Sequence, residues 1–167
     1  MIPYLLSITP LGSFRKTPDV DFMKFDGIID KLDAIDYVVH EKGAKSPQIE
    51  GDKTHYWYMH THQKDNLIVH SGYRVINLFS KRHGRVETLE ASAKHIKLNG
   101  KIIHVGPAMM SWPPYVFHKI SSPQGSISTN YAYHNSNMSD NTNFSIYDLN
   151  EKTGEYRVVR EGSLDEK

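Results

Sequence analysis

The chain contains no cysteine. Disulfides and thiolate metal sites are therefore excluded, and any bound metal must use imidazole, carboxylate, amide or water. No apolar run approaches the ~20 residues that a membrane-spanning helix needs. An excess of one charge is lacking too: 20 Lys and Arg stand against 19 Asp and Glu, a formal net charge of +1. That balance gives no electrostatic reason to expect nucleic acid or an anionic membrane as a partner. The opening Met1-Ile2-Pro3-Tyr4-Leu5-Leu6 has no basic stretch and no small-residue cleavage site. It reads as mature protein, so the expected location is cytoplasmic. There is no internal repeat, low-complexity stretch or linker.

What is present fits one domain. The 167 residues suffice to bury a core, and 38% hydrophobic with 23% charged residues is ordinary globular composition. Residues 17–34 read as the one helix. Thr17-Pro18 offers an N-cap followed by proline at the first helical position, and Phe22, Phe25, Ile29 and Leu32 recur at helical spacing.

From Ala34 onward the pattern is one of short strands. Apolar, aromatic and β-branched runs fall at 35–40, 54–62, 67–79, 86–89, 109–112, 116–120, 126–133, 144–149 and 156–160. Asn99-Gly100 marks a hairpin between 96–98 and 101–103. Many short strands with frequent turns imply an all-β sandwich, barrel or jelly roll. Residues 1–50 are then an extension packing on a barrel built from 51–162, and 163–167 fray at the end.

Ten histidines are many for this length. Two of them stand in His60-Thr61-His62. On a strand, residues i and i+2 share a face, so both imidazoles could reach one ion, with Tyr58 and Tyr56 on the same side. Trp57 and Met59 would face the other way.

The run from His60 to Gly72, with Asp65 six residues before that glycine, resembles the first motif of the cupin superfamily. Gly106 to His118, with Pro113 five residues before the last histidine, resembles the second. The resemblance covers residues 55–135. It implies a single RmlC-like jelly-roll barrel, the cupin double-stranded β-helix, here with a short N-terminal helical extension. It further implies a divalent transition metal (Fe, Mn, Ni or Zn) held by His60, His62, His118 and an acid, Asp65. Three departures stand out. Only two residues separate His62 from Asp65, which leaves Asn66 at the usual distance. Tyr115 replaces a glycine three residues before His118, and Ser122 stands where an asparagine is usual.

Other residues weigh less. His70 and His55 are out of phase with the inward face. Met109 and Met110 read as core filler. Arg74 and Lys119 could meet an anionic substrate, but isolated basic residues usually lie on the surface. Tyr58, next to His60 on the inward face, is the best candidate for moving a proton, with Asp65 as the second catalytic candidate.

Three functions follow. The leading expectation is a metal-dependent cupin enzyme, an oxygenase or isomerase, acting on a small polar organic molecule. The alternative is a metal-free sugar-nucleotide epimerase or isomerase, in which a histidine paired with an acid serves as base and a tyrosine as acid. The last is a cupin module that binds a small ligand without turnover. Small cupins pair through sheet edges and N-terminal segments, so a homodimer is expected.

Overall fold

The computed structural model describes residues 1–25, 32–135 and 143–164. Sixteen strands run along them. The first six are β1 (Ser7–Pro10), β2 (Gly12–Lys16), β3 (Asp21–Lys24), β4 (Ala34–His40), β5 (Ala44–Ser46) and β6 (Trp57–Met59). Next come β7 (Gln63–Gly72), β8 (Arg74–Phe79), β9 (Glu87–Ala91), β10 (His95–Leu98) and β11 (Lys101–Val105). The last five are β12 (Ala108–Trp112), β13 (Phe117–Ser122), β14 (Ser126–His134), β15 (Ile146–Leu149) and β16 (Tyr156–Arg160).

Two antiparallel sheets face each other. The smaller has the order β1-β12-β7-β14-β4. The larger runs β11-β10-β9-β8-β13-β6-β15-β16, with β5 on β13. Their inner faces meet in an apolar core that includes Leu67, Val69, Ile76, Leu78, Leu89, Met110 and Trp112. Each wholly buried leucine there, such as Leu78 or Leu89, contributes on the order of 1.5–3 kcal/mol. A second cluster joins Trp57, Met59, Phe79, Phe117, Tyr147 and Leu149. Strand alternation separates the two: Phe117 and Phe79 join the second cluster, while the next residue on each strand, His118 or Leu78, joins the interior.

The all-β jelly roll expected from the sequence is present, and the Asn99-Gly100 hairpin is too. Both turn residues have positive φ, 48° and 80°. The helix expected over 17–34 is not. Thr17 donates its N–H to the Val20 carbonyl (2.8 Å), and its hydroxyl accepts from the Val20 N–H (3.1 Å). Thr17-Pro18 therefore makes the tight turn of the β2–β3 hairpin rather than a helix cap. Period-2 pairing with β2 wins over the helical spacing of Phe22 and Phe25. Ile29 lies outside the described residues. The N-terminal segment does cover a sheet edge, but as strand β1, which pairs with β12 from Ser7 to Pro10.

Gly72 fixes one end of the barrel. It sits at φ 73°, and a Cβ there would lie 2.2 Å from the Gly125 carbonyl oxygen. Only glycine lets the β7–β8 turn touch the β13–β14 turn, where Tyr73 N–H donates to Gly125 O. No helix among the described residues is long and apolar enough to cross a membrane.

Candidate active site

The interior holds a cavity of about 250 Å³ between the two sheets. Tyr58, His60, Asp65, Arg74, Trp112 and His118 are among its lining residues. Each enters from a different place. Tyr58 is on β6 and His60 just after it. Asp65 begins β7, Arg74 begins β8, Trp112 ends β12 and His118 is on β13.

Register brings the first set together. His118 pairs with Tyr58 across β13–β6, and Asp65 pairs with Trp112 across β7–β12. The His60 and His118 ring centroids are 4.9 Å apart, and the Tyr58 ring lies 6.1 Å from His60 and 6.0 Å from His118. His60, Asp65 and His118 are all buried, and one ligand atom from each falls within 4.8 Å of the others.

His62 is not in that group. β6 ends at Met59, so the alternation that would place residues 60 and 62 on one face stops before it applies. Thr61-His62 forms a bend instead. The His62 N–H donates to Asn143 Oδ1 (3.3 Å), and its carbonyl accepts from Asn135. The predicted set of three imidazoles and an acid is thus not assembled; the donors that converge are two imidazoles and one carboxylate. Asn66, at the usual spacing for the acid, is also spoken for, since its side chain bonds the Tyr131 carbonyl and the Ser111 hydroxyl.

The two converging imidazoles differ. His60 Nδ1 donates to the Asn143 carbonyl, and its Nε2 faces Asp65 Oδ2 at 3.5 Å. That is close enough for an ion pair but too long for a good hydrogen bond. His118 Nδ1 donates to the Val116 carbonyl (3.3 Å), which leaves Nε2 as the acceptor. Burial first, then the neighbouring His60, pushes the His118 pKa down to about 4, against the pull of Asp65. His118 is therefore neutral at neutral pH. Burial alone would raise the Asp65 pKa, but His60, His118 and hydrogen bonds from Gln63 and Asn130 outweigh it, so the carboxyl stays below its ordinary value.

Three buried polar atoms lining this one cavity have no hydrogen-bond partner: Asp65 Oδ2, Trp112 Nε1 and Arg74 Nη2. Buried polar groups are almost always paired, so their concentration here marks a place where a ligand completes the bonding. Trp112 and Arg74 were missed as site residues. Trp112 precedes Pro113-Pro114, and no motif spacing singles it out. Arg74 read as surface, yet it is 1% exposed. Lys119 follows the surface expectation: it stacks on Trp57 and pairs with Glu151 at 3.1 Å. His70 is exposed, as its phase implied, with Nε2 against Thr129 Oγ1.

No family model and no curated protein matches the sequence. Solved structures do match in shape. QdtA, a sugar 3,4-ketoisomerase from Thermoanaerobacterium thermosaccharolyticum solved with TDP, superposes with a TM-score of 0.55 at 13% identity, over 80% of this chain and 85% of that one. A dTDP sugar isomerase from Desulfovibrio desulfuricans G20 gives 0.56 at 10% identity, over 79% and 80%. A histidine-to-asparagine variant of QdtA, solved with TDP-4-keto-6-deoxyglucose, gives 0.52 at 13% identity, over 81% and 86%. The protein has the RmlC-like cupin fold. The leading functional expectation needs correcting. The neighbours are described as sugar-nucleotide isomerases, not as metal-dependent oxygenases or isomerases, and the third imidazole of a cupin metal set stands apart.

Proposed function

We propose that this cupin is an isomerase or epimerase of a nucleotide-linked keto sugar, taking a proton from the carbon beside the carbonyl and returning it to the neighbouring carbon or to the opposite face of the same one. The observation that carries the reading is a buried neutral imidazole, His118, facing the half-buried phenol of Tyr58 at 6.0 Å between ring centres, beside an ionised Asp65. Solved proteins of this fold that act on nucleotide sugars support it.

The chemistry needs no co-reactant. His118 Nε2 takes the proton from the hydroxyl-bearing carbon next to the carbonyl. Tyr58 supplies a proton to the carbonyl oxygen, giving an enediol. The His118 imidazolium then protonates the former carbonyl carbon while the Tyr58 phenolate takes the proton of the other hydroxyl, which leaves the ketone displaced by one position and restores both side chains. Each such acid or base is worth roughly 10²–10⁴-fold. Asp65 steadies the positive charge that forms on the imidazole, and His60, held by Asn143, keeps Asp65 in place. The working form in this reading is a cytoplasmic homodimer.

The test is proton exchange. The protein is incubated with a panel of nucleotide-linked keto sugars in deuterated water, with and without a chelator, and deuterium at the carbon beside the carbonyl is read by NMR. The expected result is wash-in that the chelator leaves unchanged. Folded protein that exchanges none of the panel overturns the reading.

A further inference from the structure

Arg74 is a buried cation without a counter-ion. Its Nε donates to Ser126 Oγ (2.8 Å), while Nη2 is buried without a partner. Among the described residues no carboxylate lies within ion-pair distance of it. Asp36 also lines the cavity, but its Oδ2 accepts from Asn130. Asp65 lies with the histidines. His40, the remaining titratable neighbour, is held neutral by burial and by Arg74 itself, with a pKa near 4. The guanidinium has a fixed seat, because Ser126 bonds Ser122 (2.9 Å) and Ser122 bonds His40 Nδ1 (3.0 Å). A buried charge left unpaired is among the most costly arrangements in a protein, and a cation so placed is built for an anion.

Its position says which anion. Arg74 begins β8 at the barrel end closed by Gly72 and Gly125. His118 pairs with Leu78, four residues further along β8, about 13 Å at ~3.3 Å per residue. The cavity is therefore bipolar, with proton-transfer groups at one end, a cation at the other, and Leu67 and Ile120 among the lining between. Arg74 is 1% exposed and stands at the end closed by the Gly72 and Gly125 turns, so a ring that meets the histidines turns one of its own substituents towards the guanidinium, while a diphosphate leading to a nucleotide has to run out to solvent. The anion at Arg74 belongs to the sugar itself, not to a diphosphate.

We propose that the sugar bound here carries a carboxylate, seated on Arg74, so that the substrate class is an acidic sugar of the uronate kind. Guanidinium and carboxylate match in shape and charge. The proposal rests on the reading of this cavity as a sugar site, and it is tested by binding alone, without turnover.

The probes are glucuronate and glucose, which differ only at the terminal carbon, a carboxylate in one and a hydroxymethyl group in the other, each titrated at constant ionic strength while thermal melting is followed. Glucuronate is expected to raise the melting temperature saturably and glucose not. Arg74→Met should weaken glucuronate by about tenfold or more, since a charged hydrogen-bonding partner is lost, and Arg74→Lys should restore part of it. A wild-type readout guards against a variant that fails to fold. The Arg74 Nε–H resonance in nitrogen-labelled protein should shift with glucuronate and stay fixed with glucose. Equal stabilisation by both sugars overturns the carboxylate assignment while leaving the isomerase reading intact. An Arg74 resonance that saturating glucuronate leaves unmoved also overturns it. Failure of deuterium exchange, by contrast, bears on the isomerase reading only.

Discussion

The ring of His118 lies 4.9 Å from that of His60, yet the two imidazoles have opposite surroundings. Both nitrogens of His60 face acceptors, the Asn143 carbonyl and Asp65 Oδ2. His118 has one acceptor, the Val116 carbonyl, and keeps a lone pair for the cavity. One imidazole therefore anchors and the other can accept a proton.

That difference predicts unequal variants. His118→Asn keeps a polar side chain of similar reach but removes the base. Deuterium exchange into the keto sugar should fall roughly 10²–10⁴-fold, with the melting temperature little changed. Tyr58→Phe should cost a comparable factor. Exchange that survives both substitutions at the wild-type rate would place the chemistry elsewhere.

The pH dependence has a definite sign. His118 and His40 are each held near a pKa of 4 by burial, below the 6.5 of an ordinary histidine. Between those values the unfolded chain binds more protons than the folded one. Stability is thus full above about pH 6.5 and is lost as pH falls towards about 4. Urea denaturation across that window should show a falling midpoint, and His40→Gln should make the fall shallower. Exchange activity should persist below pH 6.5 and fail only near pH 4, where His118 takes up its proton. A midpoint independent of pH across the window contradicts both buried-histidine assignments.

Gly72→Ala is expected to be severe. The new methyl would stand 2.2 Å from a backbone oxygen, at a φ of 73° that costs an L-residue roughly 1–2 kcal/mol by itself. Neither contact can yield without parting the two turns. A melting temperature lowered by about 5–10 °C or more is expected for a chain of this size. A variant as stable as wild type shows that the turns do not meet.

Tyr115→Gly is expected to be mild or favourable. Tyr115 has a φ of 65° and is 62% exposed, and its N–H donates to the His60 carbonyl (2.8 Å). Glycine keeps that bond and removes the left-handed cost, roughly 1–2 kcal/mol. It adds roughly 0.5–1 kcal/mol of unfolded-state entropy. Thermal melting should show no loss. A marked drop overturns that expectation.

The proposed homodimer predicts a surface. On edge strand β4 the alternation turns Asp36, Val38 and His40 into the cavity and leaves Ile35, Tyr37 and Val39 exposed at 60%, 68% and 55%. Tyr37→Lys should shift sedimentation from dimer to monomer. A wild-type chain that sediments as a monomer removes the proposal.

Residue order by itself determined most of the strands, the two-motif resemblance, and the pairing of His60 and His118 with Asp65 between the sheets. These are legible because strand periodicity and turn chemistry are local properties of the chain. The Asn99-Gly100 turn and Gly72 needed no partner to be recognised. Tertiary structure alone decided three things. It made residues 21–24 a strand, because pairing with β2 outweighed a helical spacing of apolar residues. It turned His62 out of the site, because β6 ends at Met59. It buried Arg74, because burial depends on what the far sheet brings over a side chain, and no spacing within one strand records that.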